Sequence, residues 1–342
     1  MLNIFEKKNI DLDYFLTAGK RLGIIINDNL YIKKISENNN GIFLKGLINK
    51  NQKILSIKKE FLISKEKIKD FILEKNIDYP SIELFKLYFS SIPNFQYFQK
   101  NFISFFYNDC RKKILNFFTD QSPTKKKLQI YFNQFDYLDD VEKYLFLIFN
   151  SRAFTFNNNK FLIPIIDLVN YKKGQHKILH DQNEFYFKNE FDLNKNDEFF
   201  HGYEDNSDII DFYLKYNFIP KDFKFIHIPE NFFSLKIPLN NNLEINSKYW
   251  NINNQNISNK FPIIFDNLNI PLEFDYEIKK VLPNKKIINQ IINSILQLLL
   301  SEIKINEVSN CLKNQNDSLV HDFATVLKIK YLNISEIIKN YQ

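Results

Sequence analysis

Histidine and cysteine, the residue types that most often bind catalytic metals, are few in this chain and poorly spaced for that role. His176 and His180 are four residues apart, which on a helix would place both imidazoles on one face. Gly174 and the polar sequence around it oppose a helix there and predict a solvated loop. Cys110 and Cys311 are far apart without CxxC spacing, which indicates neither a thiolate metal site nor a disulfide framework. We therefore expect no metal, and a reducing compartment fits the two cysteines.

Arginine and tyrosine are the residues from which a site could be built. Among the 46 basic residues only Arg21, Arg111 and Arg152 are arginine. Because a guanidinium makes paired hydrogen bonds that an ammonium cannot, an arginine in this lysine-rich background is informative. Tyr203 and Tyr216 belong to a set of 18 tyrosines, and residue type alone would assign both to core packing.

The composition is that of a folded chain with dispersed positive charge. With 342 residues, 44% hydrophobic and 16% aromatic, the chain can build one large domain and a smaller second one. The formal charge of +6 comes from lysines spread among 40 acidic residues, so nucleic-acid binding ranks last among the functions considered. Met1–Lys8 carries no secretory signal, and Ile291–Leu300 is too short to span a bilayer. We expect a cytoplasmic protein without membrane contact.

The hydrophobic pattern of the first half changes from strand-like to helical. A short amphipathic helix ends within Leu12–Leu16, and Gly23–Ile35 then alternates as strands do. Asn38–Gly41 predicts a turn, and Ile42–Ile57 predicts strand, turn and strand. Between Ser64 and Leu147 the apolar residues repeat at helical spacing, which predicts an all-helical segment.

The second half begins with short strands and ends in helices. An extended, Asn-rich region is expected between Phe225 and Pro271. No internal repeat is visible. The predicted elements on either side of the Asn-rich region are strands at Lys160–Ile166, Glu184–Phe187 and Glu198–Phe200, and helices at Asp208–Lys215, Ile287–Ile303 and Val320–Ile338.

Four stretches of the chain carry motifs whose order is more specific than any one of them. One stretch is a Ser-Arg-Ala-Phe box, and another ends in a tyrosine after a strand. In this order the stretches resemble the motifs of SET-domain methyltransferases of the Rubisco large-subunit methyltransferase-like class. They are Gly41–Leu44 with Asn51–Leu55, Asn150–Phe154, Leu162–Tyr171, and Asp197–Tyr203 with Tyr213–Phe218.

The chain departs from the motifs of that class at four positions. Asn39, Asn51 and Asn217 stand where glycine is expected, and Tyr171 stands where histidine is expected. Asparagine tolerates positive φ better than other non-glycine residues, so the turns can still form. The four changes keep open a catalytically degenerate SET-fold binding module as an alternative to an enzyme.

The resemblance implies an α+β protein: a β-rich SET fold interrupted by a helical insert and followed by a mainly helical C-terminal domain. It implies SET residues in 1–65, the insert in 66–145, the remaining SET part with the active site in 146–224, and a substrate-binding domain in 225–342. Residues 13–220 carry the resemblance. The tail matches only in the order of its elements.

The resemblance also implies a protein-lysine methyltransferase that uses S-adenosylmethionine and releases S-adenosylhomocysteine. Tyr203 would be the catalytic residue, closest to the transferred methyl group. The implied cofactor-binding residues are Asn38, Asn40, Gly41, Arg152, Asn170, Tyr171 and Tyr203. The implied substrate-binding residues are Arg152, Phe156, Asp167 and Tyr216.

Methyl transfer from a sulfonium requires a neutral nucleophile, held about 3 to 3.5 Å from the carbon and shielded from water. A tyrosine-lined channel suits this task, because it lowers the pKa of an entering lysine and its rings attract cations. Arg152 fits equally a structural pair with a carboxylate such as Asp167 and a direct cofactor contact. Histidine remains an alternative acceptor, and we expect a monomer that acts on a protein substrate.

Overall fold

The computed structural model describes residues 12–36, 39–72, 88–89, 108–202, 208–216, 218, 223, 226–228, 234–236, 245–246, 250–253, 256–259, 263–265, 279, 285–314 and 318–341. No helix within these ranges combines the length and the apolar character needed to cross a bilayer. The described elements make an α+β protein, as predicted.

The first part of the chain is a helix followed by short strands, in agreement with the alternating pattern. Phe15, Ala18 and Gly19 form the buried face of the helix, at the spacing of one helical turn. The helix extends beyond its predicted end. The elements are α1 (Leu12–Arg21), β1 (Ile25–Ile26), β2 (Leu30–Ser36), β3 (Asn39–Leu44) and β4 (Lys53–Lys58).

Helices follow, as the change of period predicts. Ser122 caps α4 by accepting a hydrogen bond from the Lys125 amide, and a proline occupies the first turn, where no amide donor is needed. Asp139 caps α5 in the same way through the Glu142 amide. The described helices are α2 (Lys65–Ile72), α3 (Asn108–Asn116), α4 (Pro123–Asp136) and α5 (Asp140–Arg152).

Short strands return after α5. Two of the three strands predicted here form as expected, at β9 and β10. The predicted strand Lys160–Ile166 is wrong beyond its start, because the chain leaves extended geometry and enters a 3-10 turn at Ile166–Leu168. The elements are β5 (Phe154–Phe156), β6 (Asn159–Phe161), β7 (Asn170–His176), β8 (Ile178–His180), β9 (Glu184–Lys188), β10 (Glu198–His201) and α6 (Ile209–Tyr216).

Two four-stranded sheets combine these strands. One is antiparallel, in the order β1-β4-β9-β8. The other has the order β2-β3-β10-β7, in which β10 pairs antiparallel with β3 and parallel with β7. Phe199 lies opposite Ile42, and Phe200 lies beside Asn170. The second sheet therefore brings together three segments that are distant in sequence.

The last part of the chain holds short strands and then three described helices. The two predicted helices form, with α8 between them. Sheet β12-β15-β14-β13 and the pair β11-β16 occupy the Asn-rich region. The elements are β11 (Ile226–Ile228), β12 (Ser234–Lys236), β13 (Ile245–Asn246), β14 (Trp250–Asn253), β15 (Asn256–Asn259), β16 (Ile263–Phe265), α7 (Lys285–Ser301), α8 (Ile305–Asn314) and α9 (Ser318–Asn340).

The chain divides into two compact units. The first comprises Met1–Ile103 with Leu138–Asp205, and the second comprises Ser104–Tyr137 with Asn206–Gln342. The first unit contains both sheets of β1 to β10. The second unit contains α9, whose buried residues include Phe323.

The turn predicted at Asn38–Gly41 is wrong for its last three residues. Asn39, Asn40 and Gly41 lie in β3, because pairing with β2 keeps this stretch extended. Asn39 accordingly is not among the described residues with positive φ. The expectation for Asn51 is confirmed, since its φ is 69°.

Candidate active site

A buried carboxylate lies at the end of α5. Arg152, in the last turn of the helix, donates from Nη1 to the backbone oxygen of Asp167 at 3.0 Å, and the same nitrogen is 3.8 Å from Asp167 Oδ2. The hydroxyl of Tyr88 donates to Oδ2. The Asp167 side chain is only 1% exposed. We call Tyr88, Arg152 and Asp167 the carboxylate site.

Burial dominates the electrostatics of the carboxylate site. It raises the pKa of Asp167 to about 6, although the charge of Arg152 and the hydrogen bond from Tyr88 act in the opposite direction. Burial and the neighbouring carboxylate also raise the pKa of Tyr88 well above its ordinary value. Within the described part of the chain, Asp167 Oδ1 has no hydrogen-bond partner. A buried acceptor in that state favours a ligand that donates to it.

A second group of residues is centred on Asn170, which lies three positions after Asp167 in the sequence. The side-chain amide of Asn170 donates to the backbone oxygen of Asn40 at 3.1 Å and to Glu198 Oε1 at 2.7 Å. These bonds join β7, β3 and β10. Burial raises the pKa of Glu198, partly offset by Asn170 and Lys172.

Gly41 completes this group because its backbone approaches Glu198 closely. A Cβ atom at Gly41 would lie 2.6 Å from Glu198 Oε1 and 2.8 Å from Ile35 Cδ1. Any larger residue would therefore displace the carboxylate. We call Asn40, Gly41, Asn170 and Glu198 the Asn170 cluster.

The other predicted site residues are distributed more widely. Tyr171 is half-buried on β7. The ring of Phe156 packs edge to face on Phe185 and His180, and Lys59 Nζ lies 4.1 Å from its centroid. These contacts are with β8, β9 and the residue that follows β4, and none of them involves the carboxylate site.

Three predicted residues remain: Tyr216, Tyr203 and Asn38. Tyr216 lies at the end of α6 in the second unit, where its ring packs against Phe212 at 4.7 Å. The predicted catalytic Tyr203 and the predicted cofactor residue Asn38 lie outside the described residues. Their roles stay predictions.

The prediction of a solvated loop at His176 is wrong. His176 ends β7, is fully buried, and its Nε2 donates to Asn189 Oδ1 at 2.9 Å. The Asn189 amide in turn donates to the backbone oxygens of Ile48 and Asn49, each at 3.0 Å. Because the amide has two carbonyl acceptors, its oxygen must face the imidazole, which fixes the proton on Nε2.

The His176 network continues to the end of β10. The Gly202 amide donates to the backbone oxygen of His176 at 2.9 Å. A Cβ atom at Gly202 would lie 3.0 Å from the backbone oxygen of Gln175, so only glycine fits without adjustment. The His201 ring packs edge to face against Phe187, and burial lowers the pKa of His201 to about 4. The network therefore holds the residue that directly precedes Tyr203.

Sequence reasoning missed Tyr88, Glu198 and Asn189 as functional or positioning residues. Glu198 was visible as an acidic residue inside a motif, at a strand position that alternation makes half-buried. Tyr88 offered no comparable signal, because it is one of many tyrosines in the helical segment. Among the described residues no group of three His, Cys, Asp or Glu side chains could hold a metal ion.

Comparison with known proteins identifies the fold in which these sheets and helices are arranged. No family model and no curated protein sequence matches the chain. Solved structures do match. The SET domain of LSMT bound to lysine and AdoHcy is 13% identical with a TM-score of 0.56, over 96% of this chain and 90% of that chain.

Two further structures give the same result. The SET domain of LSMT bound to methyllysine and AdoHcy is 14% identical with a TM-score of 0.57, over 96% of this chain and 91% of that one. The structure of Rubisco LSMT bound to AdoMet is 13% identical with a TM-score of 0.55 and the same coverage. The chain therefore has the SET fold of Rubisco LSMT.

Proposed function

We propose that this chain is a protein methyltransferase that uses S-adenosylmethionine (AdoMet) to methylate the side-chain amine of lysine in a protein substrate. The solved structures with the same fold contain AdoMet, AdoHcy, lysine or methyllysine, which supports this donor and this acceptor. The degenerate binding module is the alternative that the first experiment below addresses.

One observation carries the proposal. Asp167 presents a buried oxygen, Oδ1, that lacks a hydrogen-bond donor among the described residues. The 3-10 turn that holds Asp167 contacts β3, which carries Asn40 and Gly41 of the Asn170 cluster. A donor on the substrate could therefore satisfy Oδ1 while a second ligand occupies the neighbouring cluster. Satisfying a buried acceptor recovers about 1 to 3 kcal/mol of lost solvation.

The Asn170 cluster fits the amino-acid end of AdoMet. The absence of a side chain at Gly41 lets the Glu198 carboxylate lie close to the backbone of β3, and this half-buried carboxylate favours a cation beside it. Bound AdoMet would supply an electrophilic methyl group on a positively charged sulfur. Asn40 and Asn170 would fix the position of this end through the bond between them.

The residues of the chain then have three tasks. Asp167, held by Arg152 and Tyr88, would bind the substrate and orient it. Tyr203 would direct the lone pair of the amine through its hydroxyl, while aromatic walls exclude water and favour the neutral amine. We place Tyr216 and Phe156 on the substrate side as further proposals from the motif positions.

Calorimetry with AdoMet tests the first half of the proposal. We expect binding by the wild-type chain, and its absence would favour a binding module that has lost the cofactor. Transfer of labelled methyl groups to proteins of a cell extract tests the second half. Mass spectrometry of the labelled peptides then distinguishes lysine from histidine as the acceptor.

Variants locate the reaction. We expect Tyr203→Phe to lose at least about tenfold in kcat, since general positioning effects have this size or more, with unchanged cofactor binding. Tyr137→Phe is the matched control, because Tyr137 is 88% exposed. Equal activity of Tyr203→Phe and Tyr137→Phe would contradict the role given to Tyr203.

A further inference from the structure

A strained turn precedes Asp167. Ile165 has φ 70° and ψ −48°, and the Ile166 amide donates to the backbone oxygen of Pro164 at 2.8 Å. A hydrogen bond across one residue with these angles defines a γ-turn with positive φ, which is rare and strained. For a β-branched residue such a φ is a genuine outlier. Strain of this kind persists only where the surrounding structure enforces it.

The side chain of Ile165 shows what enforces the turn. It is fully buried. A Cβ atom at Gly19 of α1 would lie 2.8 Å from Ile165 Cδ1 and 3.2 Å from Ile26 Cδ1. Gly19 therefore provides the space in which the end of the isoleucine side chain sits. A buried, branched side chain has few other rotamers available, so this contact restricts the conformations open to Ile165.

The turn determines where Asp167 lies. Immediately after it, the Asp167 amide donates to the backbone oxygen of Ile163 at 3.1 Å, and the Leu168 amide donates to the backbone oxygen of Ile165 at 3.1 Å within the 3-10 turn. The backbone oxygen of Asp167 accepts from Arg152, and its carboxylate is buried beside Tyr88. A change at Ile165 would rotate these groups together, because Asp167 directly follows the γ-turn.

We propose that Ile165, seated against Gly19, is a positioning residue for Asp167 and so sets the affinity of the site for the incoming protein substrate. This inference rests on the proposed function of Asp167. It assigns to α1 a role in substrate binding that neither residue type nor motif position indicates.

Gly19→Ala tests the contact between Gly19 and Ile165, because helix propensity and displacement of Ile165 predict different effects of this substitution. In a helix interior alanine is favoured over glycine, so helix propensity alone predicts a more stable protein with unchanged kinetics. If Ile165 is displaced, the KM for the protein substrate rises about tenfold, a change equivalent to one modest binding interaction. The affinity for AdoMet, measured by calorimetry, should stay within about twofold.

Ile165→Val supplies the rescue. Valine lacks Cδ1, the atom that a Cβ at Gly19 would meet, but it keeps the branched, buried character of the residue. We expect Ile165→Val alone to stay within about twofold of wild type, and the double variant with Gly19→Ala to recover most of the loss in KM. Ala18→Gly is the matched control, since it perturbs α1 without adding an atom near Ile165.

A second measurement separates failure of the inference from failure of the proposed function. NMR titration of Asp167 in Gly19→Ala should give a pKa closer to that of an ordinary aspartate than in wild type, with or without enzymatic activity. An unchanged pKa together with an unchanged KM would overturn the positioning role. A wild-type chain that neither binds AdoMet nor transfers methyl groups would refute the proposed function and leave the titration as the test of the turn.

Discussion

Asp167 should make the protein less stable as the pH rises from about 4 to about 6. In the folded protein burial raises the pKa of this carboxyl to about 6, from an ordinary value of 3.8. Between the two values the folded protein holds one proton more than the unfolded chain. The free energy of unfolding therefore decreases with rising pH in this window and is flat, as far as Asp167 is concerned, above it.

The size of the effect follows from the shift. About two pKa units at 1.36 kcal/mol each correspond to about 3 kcal/mol. Asparagine has the shape of aspartate and cannot ionise, so Asp167→Asn should lack this component. Relative to wild type, the variant should gain about 3 kcal/mol between pH 4 and pH 7.

Urea denaturation at a series of pH values, followed by circular dichroism, measures both profiles. Asp181→Asn is the control: Asp181 is exposed, and hydrogen bonds from the Asn183 and Glu184 amides lower its pKa. The ionised Asp181 carboxylate adds to the free energy of unfolding above its unfolded-state pKa, and this stabilisation is lost as the pH falls. Asp181→Asn should therefore lose stability relative to wild type as the pH rises, whereas Asp167→Asn should gain it. Parallel curves for wild type and Asp167→Asn from pH 4 to pH 7 would refute the reasoning, because they would mean that Arg152 and Tyr88 fully compensate for burial.

Two other perturbations test the packing around the site and in the second unit. Asn189→Ala should destabilise the protein by about 2 to 4 kcal/mol, because it removes a buried amide and leaves the buried Nε2 of His176 without its acceptor, and hydrogen exchange should become faster at the Gly202 amide. Lys330→Met should cost about 3 to 5 kcal/mol in urea denaturation, because Lys330 Nζ pairs with the buried Asp208 carboxylate at 2.8 Å. The double variant with Asp208→Leu should recover much of that loss.

Each of these two predictions can be contradicted by a specific result. Unchanged exchange at Gly202 in Asn189→Ala would mean that β10 ends in the same way without the His176 network. A double variant no more stable than Lys330→Met would mean that the ion pair is not the main source of the loss. Leu193→Ala serves as the control for Asn189→Ala, since it removes buried volume beside Ile48 without touching a polar group.

Local residue type predicted a good part of the fold. The helices α7 and α9 follow from apolar residues at helical spacing, and β9 and β10 from alternation, because both patterns reflect one buried face. The positive φ of Asn51 follows from its side chain, which tolerates that region. Asn39 shows the limit of the same argument. Pairing with Ser36 of β2 keeps Asn39 extended, and the tolerance of asparagine for positive φ does not predict that pairing.

The sequence also determined which residues could belong to a site, through rare residue types and the order of the motifs. Arg152 and Asp167 were candidates for a pair on those grounds, and they lie together. Only the tertiary structure decided that Tyr88 joins them, that Gly41 faces Glu198, and that Ile165 is strained against Gly19. These contacts join residues between 79 and 157 positions apart. Their energies depend on burial and close approach, which arise only when distant segments pack.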